Sequence, residues 1–173
     1  MNNKKRVETS RLSPGFQVSL FNSLLMDGKC LTFLGSKGAD VLTTTATVPV
    51  NASPLSPDPG YGGVTNGKYS AVDSPTPSVP TSVGITLNTN GFALMPGVGQ
   101  IAYNNAQGGL VNTGINSGSP RALGFALLHE LGHATGVLAP DLNNSAAEDL
   151  NQSLVAANCD KTIKTLSNVP SKP

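Results

Sequence analysis

The chain has 173 residues, a formal net charge of +1 and only 12% charged residues, so it lacks the basic surface typical of nucleic-acid-binding proteins. No apolar run approaches the roughly 18 residues of a membrane span, and we expect neither nucleic acid nor a membrane as a partner. Because the chain holds 19 glycines and 13 prolines and only 5% of its residues are aromatic, much of it should be loop.

The basic start, residues 1–6, is not followed by the apolar core of a signal peptide. A low charge with many Ser, Thr, Asn and Gly residues is common in exported bacterial proteins. We therefore expect a secreted or periplasmic protein whose export signal is absent from this chain. The expected oligomeric state is a monomer.

The N-terminal part of the chain predicts an arm and two helical segments. Residues 1–12 are polar and charged, which indicates a flexible arm. Apolar residues then recur at helical spacing from Pro14 until Gly28, which predicts a first helix. A short helical turn is expected at residues 30–34, and residues 39–46 are compatible with either a helix or a strand.

Residues 51–81 are rich in proline and glycine, which predicts an extended surface loop with at most a short strand near residues 67–72. Residues 83–88 alternate apolar and polar side chains and are followed by a turn signal and a second apolar run at residues 92–95. This pattern predicts a β-hairpin.

A further strand is predicted at residues 101–103. The Gly/Asn-rich stretch at residues 104–119 is expected to be a loop that leads into the next helix.

A buried helix is predicted from Ser119 to Gly136. Ser119 can act as the N-cap, Pro120 suits the first helical position, and Gly136 can adopt the left-handed conformation that ends a helix. The residues between these marks are apolar enough for a helix that is buried on most sides.

His129 and His133, the only two histidines of the chain, lie four residues apart on this helix with the spacing His-Glu-x-x-His. Residues four apart project from one face, so both imidazoles can bind one ion. This is the zincin signature, in which the glutamate, here Glu130, acts as general base on the water that zinc binds. The alternative is a buried helix with two hydrogen-bonded core histidines.

A catalytic zinc needs a third protein ligand, and the chain has no third histidine. Asp141 is the nearest carboxylate after the expected chain reversal at Gly136, and we predict it as the third ligand. Glu148 is the alternative, although a capping-box position already explains it. Two further alternatives for the third ligand remain open, namely Asp149 and water. Asp141 could also be an ordinary turn aspartate.

A last helix is predicted from Ser145, with a capping box formed with Glu148. Its inward face is predicted to consist of Leu150, Leu154, Val155 and Cys159. Cys30 and Cys159 match no Cys-x-x-Cys metal site, and in an exported protein such a pair favours a disulfide, with two separate buried thiols as the alternative.

As far as Gly136, the chain resembles the metzincin pattern His-Glu-x-x-His-x-x-Gly, but Ala139 stands where that family has its third histidine. The stretch from Leu127 to Cys159, together with residues 30–34, also resembles small, uncharacterised, exported bacterial proteins that share Leu-His-Glu-Leu-Gly-His. The resemblance implies a zincin-like fold and a metallopeptidase, without indicating a substrate.

The sequence thus predicts an α+β, zincin-like fold, with a small antiparallel or mixed sheet packed on a buried active-site helix between N-terminal and C-terminal helices. Residues 13–160 would form a single domain, and residues 161–173 a flexible tail.

The predicted function is a zinc-dependent peptidase that hydrolyses a peptide or protein substrate. Zn²⁺ would be held by His129, His133 and Asp141, and Glu130 would be the general base. Tyr103 is a candidate oxyanion donor by residue type alone, with a structural role as the alternative. Two other functions remain open: a non-catalytic zinc-binding interaction module and a metal-dependent amidase that acts on a non-peptide amide.

Overall fold

The computed structural model describes residues 14–35, 50–53, 63–66, 84–88, 90–141 and 144–168. In chain order the elements are α1 (Pro14–Leu25), α2 (Gly28–Leu34), β1 (Val50–Ser53), β2 (Gly63–Asn66), β3 (Gly84–Asn88), β4 (Gln100–Asn104), β5 (Leu110–Asn116), α3 (Pro120–Thr135), α4 (Ser145–Thr165) and the 3-10 turn Leu166–Asn168. The predicted α+β class is confirmed, as are the N-terminal and C-terminal helices. None of the described helices is both long and apolar enough to cross a membrane.

Helix α3 lies at the centre of the hydrophobic core, as the sequence predicts. Its N-cap is Ser119, whose hydroxyl accepts a hydrogen bond from the Ala122 N–H at 3.1 Å, and it ends at Gly136, which has the left-handed φ of 79°. Every residue from Ala122 to Gly132 is buried. Gly124 leaves room for the side chain of Leu166, because a Cβ at this position would overlap Leu166 Cδ1.

The core around α3 comes from both ends of the chain and from the sheet. Buried side chains of α1 and α2 belong to the same cluster as Ile85 and Leu87 of β3 and as Val155 and Ile163 of α4. Helix α3 contacts α4 and the strands β2, β3 and β5. It is therefore enclosed by other elements, which explains its apolar sequence.

The predicted hairpin of residues 83–95 is wrong in its second half. β3 is present, but it lies at the centre of a three-stranded sheet, parallel to β1 and antiparallel to β2. Residues 92–95 instead continue a turn, because the N–H groups of Leu94 and Met95 donate to the Gly91 carbonyl at 3.1 and 3.0 Å. The apolar Ala93 is buried by this turn and not by strand pairing.

Three strands occupy segments that the sequence predicts as loops. β1 and β2 lie within residues 51–81 or at their edge, and both are held by pairing with β3. Such pairing is non-local, so a composition rich in proline and glycine does not reveal it. The strand predicted near residues 67–72, the ambiguous residues 39–46 and the arm at residues 1–12 lie outside the described residues.

β5 is the third of these strands, and it pairs antiparallel with β4, which confirms the strand predicted at residues 101–103. The two are joined by a turn in which Asn105 Oδ1 accepts from the N–H groups of Gln107 and Gly109 at 3.0 and 2.8 Å. The loop predicted for residues 104–119 is therefore wrong, because an Asn/Gly-rich sequence here forms a hairpin.

Helix α4 differs from the prediction at both ends. Its N-cap is Asn144, whose side chain accepts from the Ala146 and Ala147 N–H groups, so the predicted capping box of Ser145 and Glu148 is wrong. Leu150, predicted to face inward, is 57% exposed. The helix continues past residue 160 to Thr165, and Leu166 just beyond it is fully buried.

The predicted disulfide between Cys30 of α2 and Cys159 of α4 is confirmed, with Cα atoms 4.5 Å apart. Helix α4 is kinked at this residue, where Cys159 has a φ of −114° and a ψ of 15°. Lys29 Nζ donates to the Ala157 carbonyl at 2.7 Å, beside the kink. A disulfide is compatible with an extracellular location.

Asp27 joins the same two helices without a covalent bond. It is only 4% exposed, and its Oδ1 accepts from the Cys30 N–H at 3.3 Å as the N-cap of α2. Its Oδ2 accepts from the N–H and the hydroxyl of Thr162, three residues after the kink, at 2.9 and 2.8 Å. Burial alone raises the pKa of Asp27, but these hydrogen bonds and the charge of Lys161 outweigh it and lower the pKa below 3.8.

We predict that Asp27→Asn lowers the free energy of unfolding at pH 7 by about 1–3 kcal/mol, because an amide cannot accept all of these hydrogen bonds as a carboxylate does. A lowered pKa contributes stability above the unfolded-state value of about 3.9 that is lost as the pH falls through the folded-state value. The difference between wild type and variant should therefore shrink below pH 4, as measured by urea unfolding.

Asp160→Asn is the matched control, since Asp160 is exposed and pairs only with Lys164 in the described structure. This variant should unfold like the wild type at both pH values. An equal loss of stability in the two variants would contradict the role given to Asp27.

Candidate metal centre

Helix α3 places the two histidines on one face, one turn apart. His129 Nε2 and His133 Nε2 are 3.0 Å apart, and the two rings meet edge to face at an interplanar angle of 72°. His129 is 8% exposed and His133 is half-buried. The same nitrogen of each ring therefore faces a common point at the edge of the core.

The turn after α3 returns the chain toward this point. With Gly136 in the left-handed conformation, the N–H groups of Val137 and Leu138 both donate to the Gly132 carbonyl at 3.1 Å. Leu138 packs directly on Gly132, where an added Cβ would lie 2.5 Å from Leu138 Cδ1. Glycine at position 132 thus lets the turn lie close against the helix, and the turn leads to Asp141.

Asp141 completes a group of three. Its Oδ2 lies 3.0 Å from His129 Nε2 and 3.2 Å from His133 Nε2, so the three atoms form a nearly equilateral triangle. All three distances are within hydrogen-bonding range, and the donor and acceptor roles of the two rings depend on their tautomers. The structure thus brings together the three residues that the sequence predicts as ligands, and the group could hold a metal ion.

Asn151 of α4 holds the carboxylate in place. This residue is 2% exposed, and its Nδ2 donates both to Asp141 Oδ1 and to the Ala139 carbonyl. One oxygen of Asp141 is thereby directed away, which leaves the other facing the histidines. Hydrogen bonds of this kind orient metal ligands and raise the affinity of the site for its metal.

The electrostatics of the group favour a cation. Burial raises the pKa of Asp141, but hydrogen bonds with the two rings and with Asn151 outweigh it and hold the pKa well below its usual range. Burial lowers the pKa of His133, yet its contact with Asp141, the charge of Glu130 and a hydrogen bond to the backbone of Leu138 raise it overall. Two carboxylates thus create a negative potential at a site that is partly shielded from water.

Glu130, the predicted base, is 6% exposed and lies three residues before His133 on the same helix. Because residues three apart are neighbours on a helix surface, its carboxylate is close enough to raise the pKa of His133.

The structure does not bring Glu148 or Asp149 into the group of three. Glu148 is half-buried and accepts from Gln152 Nε2 at 3.0 Å, and burial together with the charge of Asp141 raises its pKa. Asp149 Oδ2 accepts from Asn104 Nδ2 at 2.9 Å. Tyr103 is half-buried on β4, where it pairs with Val111.

No family model, curated protein or solved structure matches this chain.

Two residues of the site were not identified from the sequence. Gly132 lies between the two histidines in sequence. It matters because Leu138, which follows the helix, packs directly on it. Asn151 lies on α4, and only its burial as a polar residue distinguishes it from the other polar residues of that helix. No spacing rule connects Asn151 with Asp141.

We predict that the metal-free chain binds one Zn²⁺ and becomes more stable in proportion to ln[Zn²⁺]. At a free concentration about 1,000 times the Kd, the free energy of unfolding should rise by about 4 kcal/mol, because only the folded state presents the three ligands together. Urea unfolding at graded Zn²⁺ concentrations measures this effect. His129→Ala and Asp141→Ala should each abolish it, and stabilisation that persists in both would contradict the site.

We predict that Asn151→Leu weakens Zn²⁺ binding by roughly 10–100-fold, because Asp141 loses the hydrogen bond that orients it. Asn158→Ala is the control, since Asn158 donates to the Leu154 carbonyl on the same helix, away from Asp141. Competition with a chromogenic chelator gives both affinities. Equal affinities in the two variants would show that Asn151 does not position the ligand.

Proposed function

We propose that this chain is a zinc-dependent peptidase with a zincin-like site. The observation that carries the proposal is the triangle of His129 Nε2, His133 Nε2 and Asp141 Oδ2, with the buried carboxylate of Glu130 on the same helix. An exported chain with a disulfide would meet such peptide substrates outside the cell, which agrees with the Cys30–Cys159 bond.

The distances within the triangle are close to those that a zinc site requires. Zinc binds imidazole and carboxylate ligands at about 2.0–2.2 Å, and tetrahedral geometry then places the ligand atoms roughly 3.3–3.5 Å apart. The observed separations of 3.0 to 3.2 Å are slightly shorter, and a small outward movement of the rings would suffice. Two nitrogens and one oxygen also match the preferences of zinc better than those of calcium or magnesium, which favour oxygen ligands.

The number of ligands favours catalysis over a purely structural role. Structural zinc sites are closed by four protein ligands, whereas catalytic sites keep three and leave one position open. Within the described part of the chain, the group contains three residues. A non-catalytic zinc module would require a fourth.

The roles of the residues follow from their positions. Zinc held by His129, His133 and Asp141 would supply Lewis-acid polarisation of the scissile carbonyl and would lower the pKa of a water to about 7. Glu130 would accept the proton of the attacking water and deliver it to the leaving amine. Asn151 would keep Asp141 oriented while charge develops, since its amide holds the opposite carboxylate oxygen.

We predict that Glu130→Gln retains zinc but loses peptide hydrolysis by a factor of about 10²–10⁴, because the amide cannot accept the proton. The measurement is digestion of a pooled synthetic peptide library by the zinc-loaded chain, with mass-spectrometric detection and zinc content determined in parallel. His133→Ala should lose both zinc and hydrolysis.

Hydrolysis at the wild-type rate by Glu130→Gln would exclude Glu130 as the base. A wild-type chain that holds zinc and cleaves no peptide of the library would exclude the peptidase and favour the non-catalytic module.

A further inference from the structure

Helix α4 carries both the amide that orients Asp141 and the cysteine that bonds to α2. Asn151, Val155 and Cys159 follow one another at intervals of four residues, so they lie on one face of the helix, and all three are buried. No residue of α4 before Cys159 departs from helical dihedral angles. Residues 145–158, the first segment of α4, therefore form one rigid unit that contains Asn151 and ends at the disulfide.

The first segment of α4 has little apolar packing of its own. The structure describes all of it, and Val155 is its only buried apolar residue. The other two buried residues are Asn151 and Gln152, and Gln152 Oε1 is buried without a hydrogen-bond partner among the described residues. A buried acceptor without a partner opposes docking of the segment. Hydrophobic burial alone therefore holds this segment weakly.

The kink at Cys159 separates the first segment from the other end of α4. Thr162 and Ile163, which are also buried, lie beyond it. Because Cys159 has non-helical dihedral angles, the two parts of the helix follow different directions, and contacts of the second part do not by themselves fix the first. The bond to Cys30 is made at the kink itself, and Lys29 adds only an exposed hydrogen bond to the carbonyl two residues before it.

We propose that the Cys30–Cys159 disulfide sets the zinc affinity of the candidate metal centre, because it holds the first segment of α4 where Asn151 orients Asp141. Without the bond, the segment would leave its position part of the time, and Asp141 would lose the hydrogen bond that directs its carboxylate. In a reducing compartment the chain would then hold zinc weakly and acquire it only after oxidation. Only the consequence for hydrolysis rests on the proposed peptidase function.

The oxidation is an exchange of the two thiols with an external small-molecule or protein disulfide. One thiolate of the chain attacks that disulfide and the other resolves the mixed disulfide, so one S–S bond breaks, one forms, and the oxidant leaves as two thiols with two protons and two electrons. Both cysteines are fully buried in the folded chain, so the exchange must precede the docking of α4. The bond thus acts as a single maturation step.

The test compares the Zn²⁺ affinity of the oxidised wild type with that of the double variant Cys30→Ser/Cys159→Ser, by competition with a chromogenic chelator. We expect the double variant to bind Zn²⁺ about 10–100-fold more weakly, which is the usual effect of removing the outer partner of a metal ligand. Serine is chosen because free thiols bind zinc themselves. Equal affinities would overturn the proposal.

Asn151→Leu provides the matched background. The contact through which the disulfide is proposed to act is absent from this variant, so removing both cysteines from it should change the Zn²⁺ affinity by less than about twofold. An equal loss of affinity with and without Asn151 would show that the disulfide acts by general destabilisation, and this result would overturn the proposed route.

Amide hydrogen exchange keeps the test valid if the serine variant does not fold. The metal-free wild type is reduced with a phosphine in urea, returned to native buffer and compared with the oxidised chain by mass spectrometry. Residues 145–158 should exchange at least about tenfold faster after reduction, while α3 stays protected. Unchanged exchange in residues 145–158 would overturn the proposal. Loss of protection in α3 as well would also overturn it, because the effect would then be global.

Hydrolysis distinguishes this inference from the proposed function. A wild-type chain that cleaves peptides, with a Zn²⁺ affinity that does not depend on the disulfide, would overturn the inference and leave the peptidase intact. A disulfide-dependent Zn²⁺ affinity in a chain that cleaves no peptide would support the inference and overturn the peptidase.

Discussion

The return of the chain onto α3 between Gly136 and Asp141 is the constraint on which the candidate metal centre depends. The two histidines need only the regular spacing of a helix, but the third member of the group must come from outside it. Three contacts fix the return: the left-handed Gly136, the packing of Leu138 on Gly132, and the two hydrogen bonds from Asn151. Without them, two rings would remain and the carboxylate would not be held.

Helix α4 connects this constraint to the rest of the molecule. Its first turns provide Asn151, and its later turns provide Cys159 and Thr162, which bind α2 through the disulfide and Asp27. A helix that is fixed firmly at one end can hold a precise position at the other. Helix α2 is thus joined to the helix that carries Asn151, although it lies far from it in sequence.

The parts of the fold that depend on local sequence could be predicted. The limits of α3, the facing histidines, the left-handed Gly136 and the proximity of Asp141 to the histidines all follow from residues within one short stretch. The disulfide could be predicted because the two cysteines match no metal-binding spacing. The predicted zincin-like relationship stays a prediction.

The parts that depend on pairing between distant segments could not be predicted. β1 and β2 exist because β3 lies between them, and an apolar run at residues 92–95 forms a turn although its composition suits a strand. Asn144 caps α4 in place of Ser145, and both residue types are good caps, so the sequence could not choose between them. Asn151 shows the same limit at the site, because its role depends on how two helices meet.

The two interior glycines of α3 have a consequence for how this sequence can change over time. Gly124 and Gly132 are poor helix formers, yet each accommodates a leucine from a later segment, Leu166 and Leu138. A bulkier residue at either glycine requires the opposing leucine to move or to be replaced by a smaller residue. In lineages that descend from this chain, positions 124 and 166, and positions 132 and 138, should therefore be inherited as coupled pairs.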